Sequence, residues 1–178
     1  MRKISSSLFF LLLVGAIAFA QGGDKKPPAS PPGSVSHSFD DGKKITIDYS
    51  RPFAKGRKIM GGLVPYGQVW RTGANSATSF TTDTDLVIGD TKVPAGKYTL
   101  YTYPGEMAWK LIINKETGQW GTKYDEKQDI ARIDMVAAKT SAPVEQFTIS
   151  IDKTGGNSAK LKLEWENTSA TVDIKEAK

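Results

Sequence analysis

The sequence contains no cysteine and a single histidine, His37. Without cysteine the chain has no disulfide, no thiol nucleophile and no zinc–thiolate site. A serine-protease-type triad needs a rigidly held histidine, and the usual zinc sites need more than one. His37 stands alone beside a proline-rich stretch, so we interpret it as a solvent-facing or edge-strand residue. We therefore expect no metal ion, no cofactor and no triad.

The chain also lacks an apolar run of the length that spans a bilayer as a helix, about 20 residues. Its apolar stretch from Leu8 to Phe19 has about a dozen residues, follows a positively charged start and ends in Ala18-Phe19-Ala20. This arrangement predicts a signal peptide over residues 1–20. The protein is then periplasmic or secreted, with no transmembrane segment after cleavage. A retained membrane anchor is the alternative.

The rest of the chain divides into a linker and one domain. Residues 21–33 are rich in proline, glycine and lysine, a composition that predicts a disordered linker. Residues 34–178 match the size of one ordinary domain. The formal net charge of +5 includes two basic residues of the leader. Such a small positive excess, on an exported chain, predicts no binding to nucleic acid. The sequence indicates no oligomeric state.

Alternation with period two dominates the domain, and no stretch of a dozen residues has an amphipathic helical pattern. Lys44–Tyr49, Gln146–Ile151 and Lys160–Trp165 each place apolar residues on one face, as half-buried antiparallel strands do. Glycine and proline turns separate these runs, and Thr154–Asn157 predicts a hairpin. We predict an all-β fold, an antiparallel β-sandwich (jelly-roll or immunoglobulin-like) of two packed sheets and about ten strands. Further strands are predicted at Ser76–Thr82, Leu86–Ile88, Lys97–Tyr103, Trp109–Asn114, Ile130–Val136 and Thr171–Ile174.

Smaller features complete this interpretation. Asn167-Thr168 predicts a corner before the last strand, and Asp125 to Gln128 can form one helical turn. Tyr101 and Tyr103 share a face of their strand, which is apolar on both sides and is therefore predicted to be central in its sheet. Asp83 and Asp85 are too few ligands for calcium, so we interpret them as solvated turn residues.

Two segments are too long for hairpin loops, Arg51 to about Gly73 and Lys115 to Asp129. Long loops on a β scaffold are functional or loosely ordered. Each of these two contains a tryptophan, Trp70 or Trp120, which favours order.

The first long segment has the strongest local bias in the sequence. From Tyr49 to Thr82 there are five basic residues and no acidic one, together with glycine-rich turns and aromatic rings. Guanidinium groups bind carboxylates and phosphates, and aromatic rings stack on sugars or other planar groups. We therefore predict a non-catalytic binding domain for a small anionic or carbohydrate-like ligand. The predicted ligand-binding residues are Arg51, Arg57, Tyr66, Trp70, Arg71 and Asn75.

Two alternatives stay open. In the first, the domain is structural or envelope-associated and has no small-molecule site: Trp70 closes one end of the sandwich and Arg71 pairs with a carboxylate such as Asp125. In the second, the domain is a hydrolase that uses Asp125 or Asp129 as acid or base, which requires two carboxylates converging in a cleft. A non-enzymatic role is preferred, and no catalytic residue is assigned.

Several runs of the sequence are shared with a known family. They are Lys55–Ile59 with Gly61-Gly62, Val64–Asn75 with its Trp70–Asn75 core, Val93–Leu100, and Trp120–Asp125. The chain resembles the bacterial domain of unknown function 2911 family from about Val35 to Ile174. The resemblance implies export and a single compact domain. The family has no established activity, so the resemblance implies no catalytic residues.

Overall fold

The computed structural model describes residues 28–177, which form nine β-strands and one 3₁₀ turn, Glu126–Gln128. The predicted signal peptide, and residues 21–27 of the predicted linker, lie outside the described residues. No helix within residues 28–177 is long and apolar enough to cross a membrane. The strands are β1 (Pro32–Ser38), β2 (Lys44–Ser50), β3 (Thr78–Thr82), β4 (Leu86–Ile88), β5 (Thr91–Val93), β6 (Gly96–Pro104), β7 (Ala108–Asn114), β8 (Asp129–Gly155) and β9 (Ser158–Glu176).

All pairings are antiparallel and join the strands into one open sheet in the order β1-β2-β3-β6-β7-β8-β9-β4-β5. The predicted all-β antiparallel class is confirmed. The two layers, however, belong to one continuous sheet rather than to two separate ones. The long hairpin β8–β9 explains this, because its register shifts between Lys139 and Val144 and between Val144 and Thr148. Such irregularities bend a strand and let it serve both layers.

The folding of the sheet onto itself is visible where β2 meets β8, four places away in the strand order. The Tyr49 hydroxyl of β2 accepts a hydrogen bond from the backbone N–H of Ile149 in β8 at 2.9 Å. Just after β2, Ala54 N–H donates to the Glu145 carbonyl at 2.7 Å and Phe147 N–H to the Pro52 carbonyl at 2.9 Å. The core lies between these layers.

The predicted alternation decides which side chains enter that core. In β2, Ile45, Ile47 and Tyr49 are buried, while the intervening residues are exposed or half-buried. In β9 the same pattern buries Leu163 and Trp165. Each fully buried side chain of this size contributes about 1.5–3 kcal/mol, so core packing stabilises the fold without disulfides.

Several local predictions are confirmed. The hairpin at Thr154–Asn157 joins β8 to β9, with Gly155 paired to Ser158. The helical turn near Asp125 is the 3₁₀ turn, and the Asp125 side chain caps it by accepting from Lys127 N–H at 3.0 Å. β6 lies between β3 and β7, so the strand of Tyr101 is central, as predicted.

Three predictions differ from the structure. β1 begins at Pro32 rather than after residue 33, because an edge strand needs no outward N–H at its first residue. No corner forms at Asn167-Thr168, because β9 continues through these residues. The backbone departs from regular strand geometry at Glu166, whose φ is 54°. His37 does lie on edge strand β1, but its side chain is buried rather than solvent-facing, packed edge-on against Phe39 at 5.0 Å.

Candidate functional site

The segment between β2 and β3, residues 51–77, is anchored along its length; we call it the first connection. Phe53 bridges to Gln146 of β8, Trp70 to Thr102 of β6, and Ser76 to Trp120. The segment from the end of β7 to the start of β8, residues 115–128, is the second connection, and it contains Trp120. The predicted order of both long segments is therefore confirmed.

A turn in the first connection depends on Glu166 of β9. Its carboxylate accepts hydrogen bonds from the backbone N–H groups of Ile59 at 3.1 Å and Met60 at 3.3 Å. Ile59, Met60 and Val64 are buried beneath this turn. A charged acceptor for two backbone donors is among the stronger hydrogen-bonding arrangements. It fixes the middle of the first connection to the sheet.

A cavity of about 690 Å³ lies where the two connections meet the sheet. That volume is within the range of small-molecule sites. Five aromatic side chains line it: Phe53, Trp70, Tyr101, Tyr124 and Trp165. Tyr101 and Trp165 are almost fully buried, at 1% and 2% exposure, so the strands β6 and β9 supply the cavity floor.

Trp70 belongs to both the core and the cavity. Its ring stacks on Trp165 at 5.8 Å and 20°, and meets Phe147 edge-on at 5.0 Å. It is nevertheless only half-buried, and it lines the cavity. Trp70 therefore packs against the core and also offers a surface to the cavity.

Three basic side chains also line the cavity: Lys55, Arg57 and Arg71. None of them takes part in an ion pair within residues 28–177. The described lining contains no Asp, Glu, Asn, Gln or His. The local charge of the cavity is therefore positive and is not compensated by a lining carboxylate.

The two guanidinium groups are held by backbone carbonyls. Arg57 donates from Nε to the Ala54 carbonyl at 2.9 Å and from Nη2 to the Phe53 carbonyl at 2.6 Å. Arg71 has one long hydrogen bond, from Nε to the Gly73 carbonyl at 3.4 Å. Both groups keep N–H donors beyond these bonds, because a guanidinium has five.

The Arg71 stem packs against Gly121 of the second connection. A Cβ at Gly121 would lie 2.7 Å from Arg71 Cδ, too close for any side chain without displacement. Gly121 N–H also donates to the Asn75 carbonyl at 2.9 Å, which ties the two connections together. The expected pair between Arg71 and Asp125 does not form, because the Asp125 carboxylate caps the 3₁₀ turn instead.

The structure thus brings together three of the six predicted residues, Arg57, Trp70 and Arg71. Arg51 instead links strands, donating from Nε to the Phe147 carbonyl at 3.2 Å and from Nη2 to Thr148 Oγ1 at 3.0 Å. Its guanidinium is used within the protein and does not line the cavity.

The other two predicted residues are placed by turns. Tyr66 is 37% exposed and lies over Gly61, where a Cβ in place of the glycine hydrogen would approach the Tyr66 ring to 2.8 Å. Asn75 adopts φ of 58°, a left-handed conformation that asparagine tolerates, and its side chain is outside the cavity lining. Both residues shape the connection rather than the cavity.

The second connection and the start of β8 contain the candidate acids of the hydrolase alternative, and these acids contact other protein groups. Asp129 accepts from Asn114 Nδ2 at 2.8 Å, from Arg132 Nε at 2.9 Å and from the Tyr124 hydroxyl. Glu126 pairs with Arg132 at 2.8 Å. Neither Asp125, Glu126 nor Asp129 lines the cavity.

This network also fixes the state of Tyr124. Burial, followed by the hydrogen bond to Asp129, raises the pKa of the Tyr124 hydroxyl far above its ordinary value. Arg132 Nη2 donates to the same oxygen at 2.7 Å. Tyr124 therefore stays neutral, and its hydroxyl is occupied while its ring faces the cavity.

The described residues contain no group of three or more His, Asp or Glu side chains that could hold a metal ion. Asp85 accepts a hydrogen bond from Ala95 N–H at 2.8 Å and so stabilises a turn. His37 Nε2 is buried without a hydrogen-bond partner in the described part of the chain.

The lining residues that were not predicted include one lysine and four aromatic residues: Lys55, Phe53, Tyr101, Tyr124 and Trp165. Lys55 belongs to the basic segment from Tyr49 to Thr82, and its position two residues before Arg57 could have indicated that it lines the same site. Trp165 lies on a strand whose alternation shows only that it points inward, and Tyr101 lies on a strand that is apolar on both sides. The sequence carries no signal that their inward face borders a cavity.

Comparison with known proteins gives a family and nothing more specific. No curated protein and no solved structure is significantly similar to this chain. Residues 30–174 match the family described as protein of unknown function (DUF2911). Because this match covers most of the chain, including both connections and every strand that borders the cavity, the protein belongs to the DUF2911 family.

Proposed function

We propose that this protein is an exported binding domain, without catalytic activity, whose cavity takes up a small anionic molecule or an acidic sugar. The observation that carries the proposal is the set of Lys55, Arg57 and Arg71 at one aromatic cavity whose described lining has no carboxylate. Export follows from the predicted signal peptide and gives a periplasmic or secreted location.

The electrostatics of the cavity support an anion. Lys55, Arg57 and Arg71 border one cavity, and an oxyanion bound there would offset the repulsion among these like charges. A guanidinium binds a carboxylate or phosphate through two parallel N–H donors. Arg71, with one long hydrogen bond to the protein, has such donors available.

The position of the positive groups also supports binding over a purely structural role. A structural arginine uses its donors within the protein, as Arg51 does with Phe147 and Thr148. Arg57 is intermediate, since two of its donors bind backbone carbonyls and orient the group. Of the three arginines of the first connection, Arg71 is the one whose guanidinium makes the fewest hydrogen bonds to the described protein.

The test is a thermal-shift screen with citrate, D-glucuronate, glucose 6-phosphate, indole-3-acetate, octanoate and neutral maltotriose. A ligand present at about 100 times its Kd is expected to raise Tm by about 5–10 °C. Arg71→Ala should abolish that shift while changing the stability of the empty protein by less than about 1 kcal/mol.

Lys92→Ala is the matched control, because Lys92 is exposed on β5 and its loss changes the net charge equally. It should leave the ligand-induced shift intact. If Arg71→Ala instead lowers Tm of the empty protein by many degrees, or if no anion shifts the unmodified protein, the structural alternative is correct.

A further inference from the structure

We infer that the ligand of this cavity is an amphipathic organic anion: one acidic headgroup on an apolar, preferably aromatic, body. This inference rests on the proposed function and narrows it, because it excludes polyhydroxylated ligands, both neutral and acidic. Three features of the lining carry it: the shortage of hydrogen-bond acceptors, the apolar walls and the arrangement of the guanidinium donors.

The shortage of acceptors argues against a sugar. Each sugar hydroxyl that leaves water needs a partner for its proton, and a buried donor without one costs about 1–3 kcal/mol. The described lining has no side-chain carboxylate or amide to accept it. The lining therefore offers few side-chain acceptors for the protons of a ligand with several hydroxyls.

The tyrosine hydroxyls of the lining do not fill this gap. Tyr101 donates to the Lys123 carbonyl at 2.7 Å and accepts from Gln119 Nε2 at 3.1 Å. Tyr124 donates to Asp129 and accepts from Arg132. Ser30 and Thr122 are the remaining side-chain hydroxyls in the described lining, too few for a polyol.

The walls instead offer apolar surface that is incompletely covered. Leu63 is 49% exposed, and Trp70 is half-buried beside it in the lining, together with Phe53 and Val69. Burial of apolar area contributes about 25 cal/mol per Å², so an apolar ligand body is stabilised at this surface. Aromatic rings add offset or edge-on contacts with other rings.

The guanidinium donors favour a single acidic headgroup. Arg57 has its Nε and Nη2 engaged by carbonyls, so its orientation is set before a ligand arrives. Neither Nη group of Arg71 makes a hydrogen bond to the described protein. These two groups can therefore donate in parallel to one carboxylate or phosphate. Preorganised donors lower the entropy cost of binding.

Calorimetry on the purified protein with matched probes tests this. Indole-3-acetate, octanoate and phenyl phosphate share the headgroup-plus-apolar-body design, and the first of them is expected to bind. Indole-3-acetamide removes the charge but keeps the ring, and D-glucuronate keeps the carboxylate but replaces the ring by hydroxyls. Both should bind at least 10-fold more weakly than indole-3-acetate. Octanoate and phenyl phosphate show whether a ring and a planar headgroup are needed.

The outcomes separate the inference from the proposed function. If D-glucuronate binds as tightly as indole-3-acetate, the amphipathic class is wrong while an anion site stands. If indole-3-acetamide binds as tightly as the acid, the charge has no role and both proposals fail. If no probe binds at millimolar concentration, both are overturned.

A variant on the apolar wall gives an independent test. Leu63→Ser should weaken indole-3-acetate several-fold and leave D-glucuronate binding unchanged, because it removes apolar surface and keeps every cation. Val136→Ser is the matched control, since Val136 is 72% exposed and does not line the cavity. Equal effects of the two variants on indole-3-acetate would contradict a role of this wall.

Discussion

The first and second connections meet at the cavity, and their charged side chains differ in what they contact. In the second connection and the adjoining start of β8, the acids bind protein groups: Asp125 caps the 3₁₀ turn, Glu126 pairs with Arg132, and Asp129 accepts three hydrogen bonds. In the first connection, the charged groups of the Lys55 and Arg71 side chains form no ion pair within the described part of the chain.

The two connections also differ in backbone conformation. Residues 28–177 contain four non-glycine residues with positive φ, and three of them lie in the first connection: Lys55, Thr72 and Asn75. Thr72 is β-branched, and a left-handed conformation is unusual for such a residue. Its hydroxyl hydrogen-bonds the Thr102 hydroxyl at 3.1 Å, which helps to hold it there. Backbone strain of this kind collects at binding sites, where the surrounding structure maintains it.

The acids of the second connection and the start of β8 thus contact protein groups, while the first connection has cations without ion pairs, which our proposal assigns to ligand binding. Substitutions in the two connections should therefore separate stability from binding.

The largest effect is expected for Asp129→Ala. It leaves the Tyr124 hydroxyl without its acceptor, Asn114 Nδ2 with only its bond to the Asp125 carbonyl, and Arg132 with one fewer carboxylate. The loss should lower the free energy of unfolding by about 3 kcal/mol. Chemical denaturation measures this. Glu126→Ala is the control in the same connection, because its exposed ion pair should contribute less than about 1 kcal/mol. Equal losses would show that Asp129 does not hold the connection.

Arg51→Ala should have the next largest effect and is the exception within the first connection. The change removes charged hydrogen bonds to Phe147 and Thr148 and should lower the free energy of unfolding by about 2 kcal/mol. Ligand binding should persist at temperatures where the variant is folded, because Arg51 does not line the cavity. If Arg51→Ala stays as stable as Lys92→Ala but loses binding, our division of the arginines is wrong.

Features of the fold and the site could be predicted from the sequence where they depend on residues close together in the chain. The inward-facing residues of β2 and β9 were predictable because alternation is local. The continuity of β9 through Asn167-Thr168 was not predicted, and the single folded sheet depends on bulges in β8 that alternation does not reveal. Arg57, Trp70 and Arg71 were predictable because they cluster in one window. Tyr101 and Trp165 were not, since strands distant in sequence bring them to the cavity.

The hydrogen-bonded hydroxyl of Tyr124 should make the stability of the protein depend on pH above pH 10. Its pKa is raised in the folded protein above the ordinary value of about 10, so the unfolded chain loses that proton first as the pH rises. The contribution is fully present below pH 10 and is lost above it. It amounts to less than about 1 kcal/mol because the group is partly exposed to solvent. Tm measured from pH 9 to 11 should fall less steeply in Tyr124→Phe than in the unmodified protein; identical slopes would contradict the network.

The smallest effect on stability is expected for Lys55→Gly, which should change binding instead. Lys55 adopts φ of 50°, a conformation that costs a side chain about 1–2 kcal/mol and that glycine adopts freely. The relief is offset by the greater entropy of glycine in the unfolded chain, so the net change should stay within about 1 kcal/mol. The bond from residue 55 N–H to Glu145 is kept.

Binding of indole-3-acetate should nevertheless weaken several-fold in Lys55→Gly, because a cavity cation is lost. Lys58→Gly is the matched control: Lys58 does not line this cavity and has no positive φ, so its replacement should lower stability by about 1 kcal/mol and leave binding unchanged. Although the two lysines are three residues apart, we expect opposite results: Lys55→Gly should weaken binding and keep stability, and Lys58→Gly should lower stability and keep binding. If both variants lose stability and neither loses binding, the positive charge of the first connection is not reserved for a ligand.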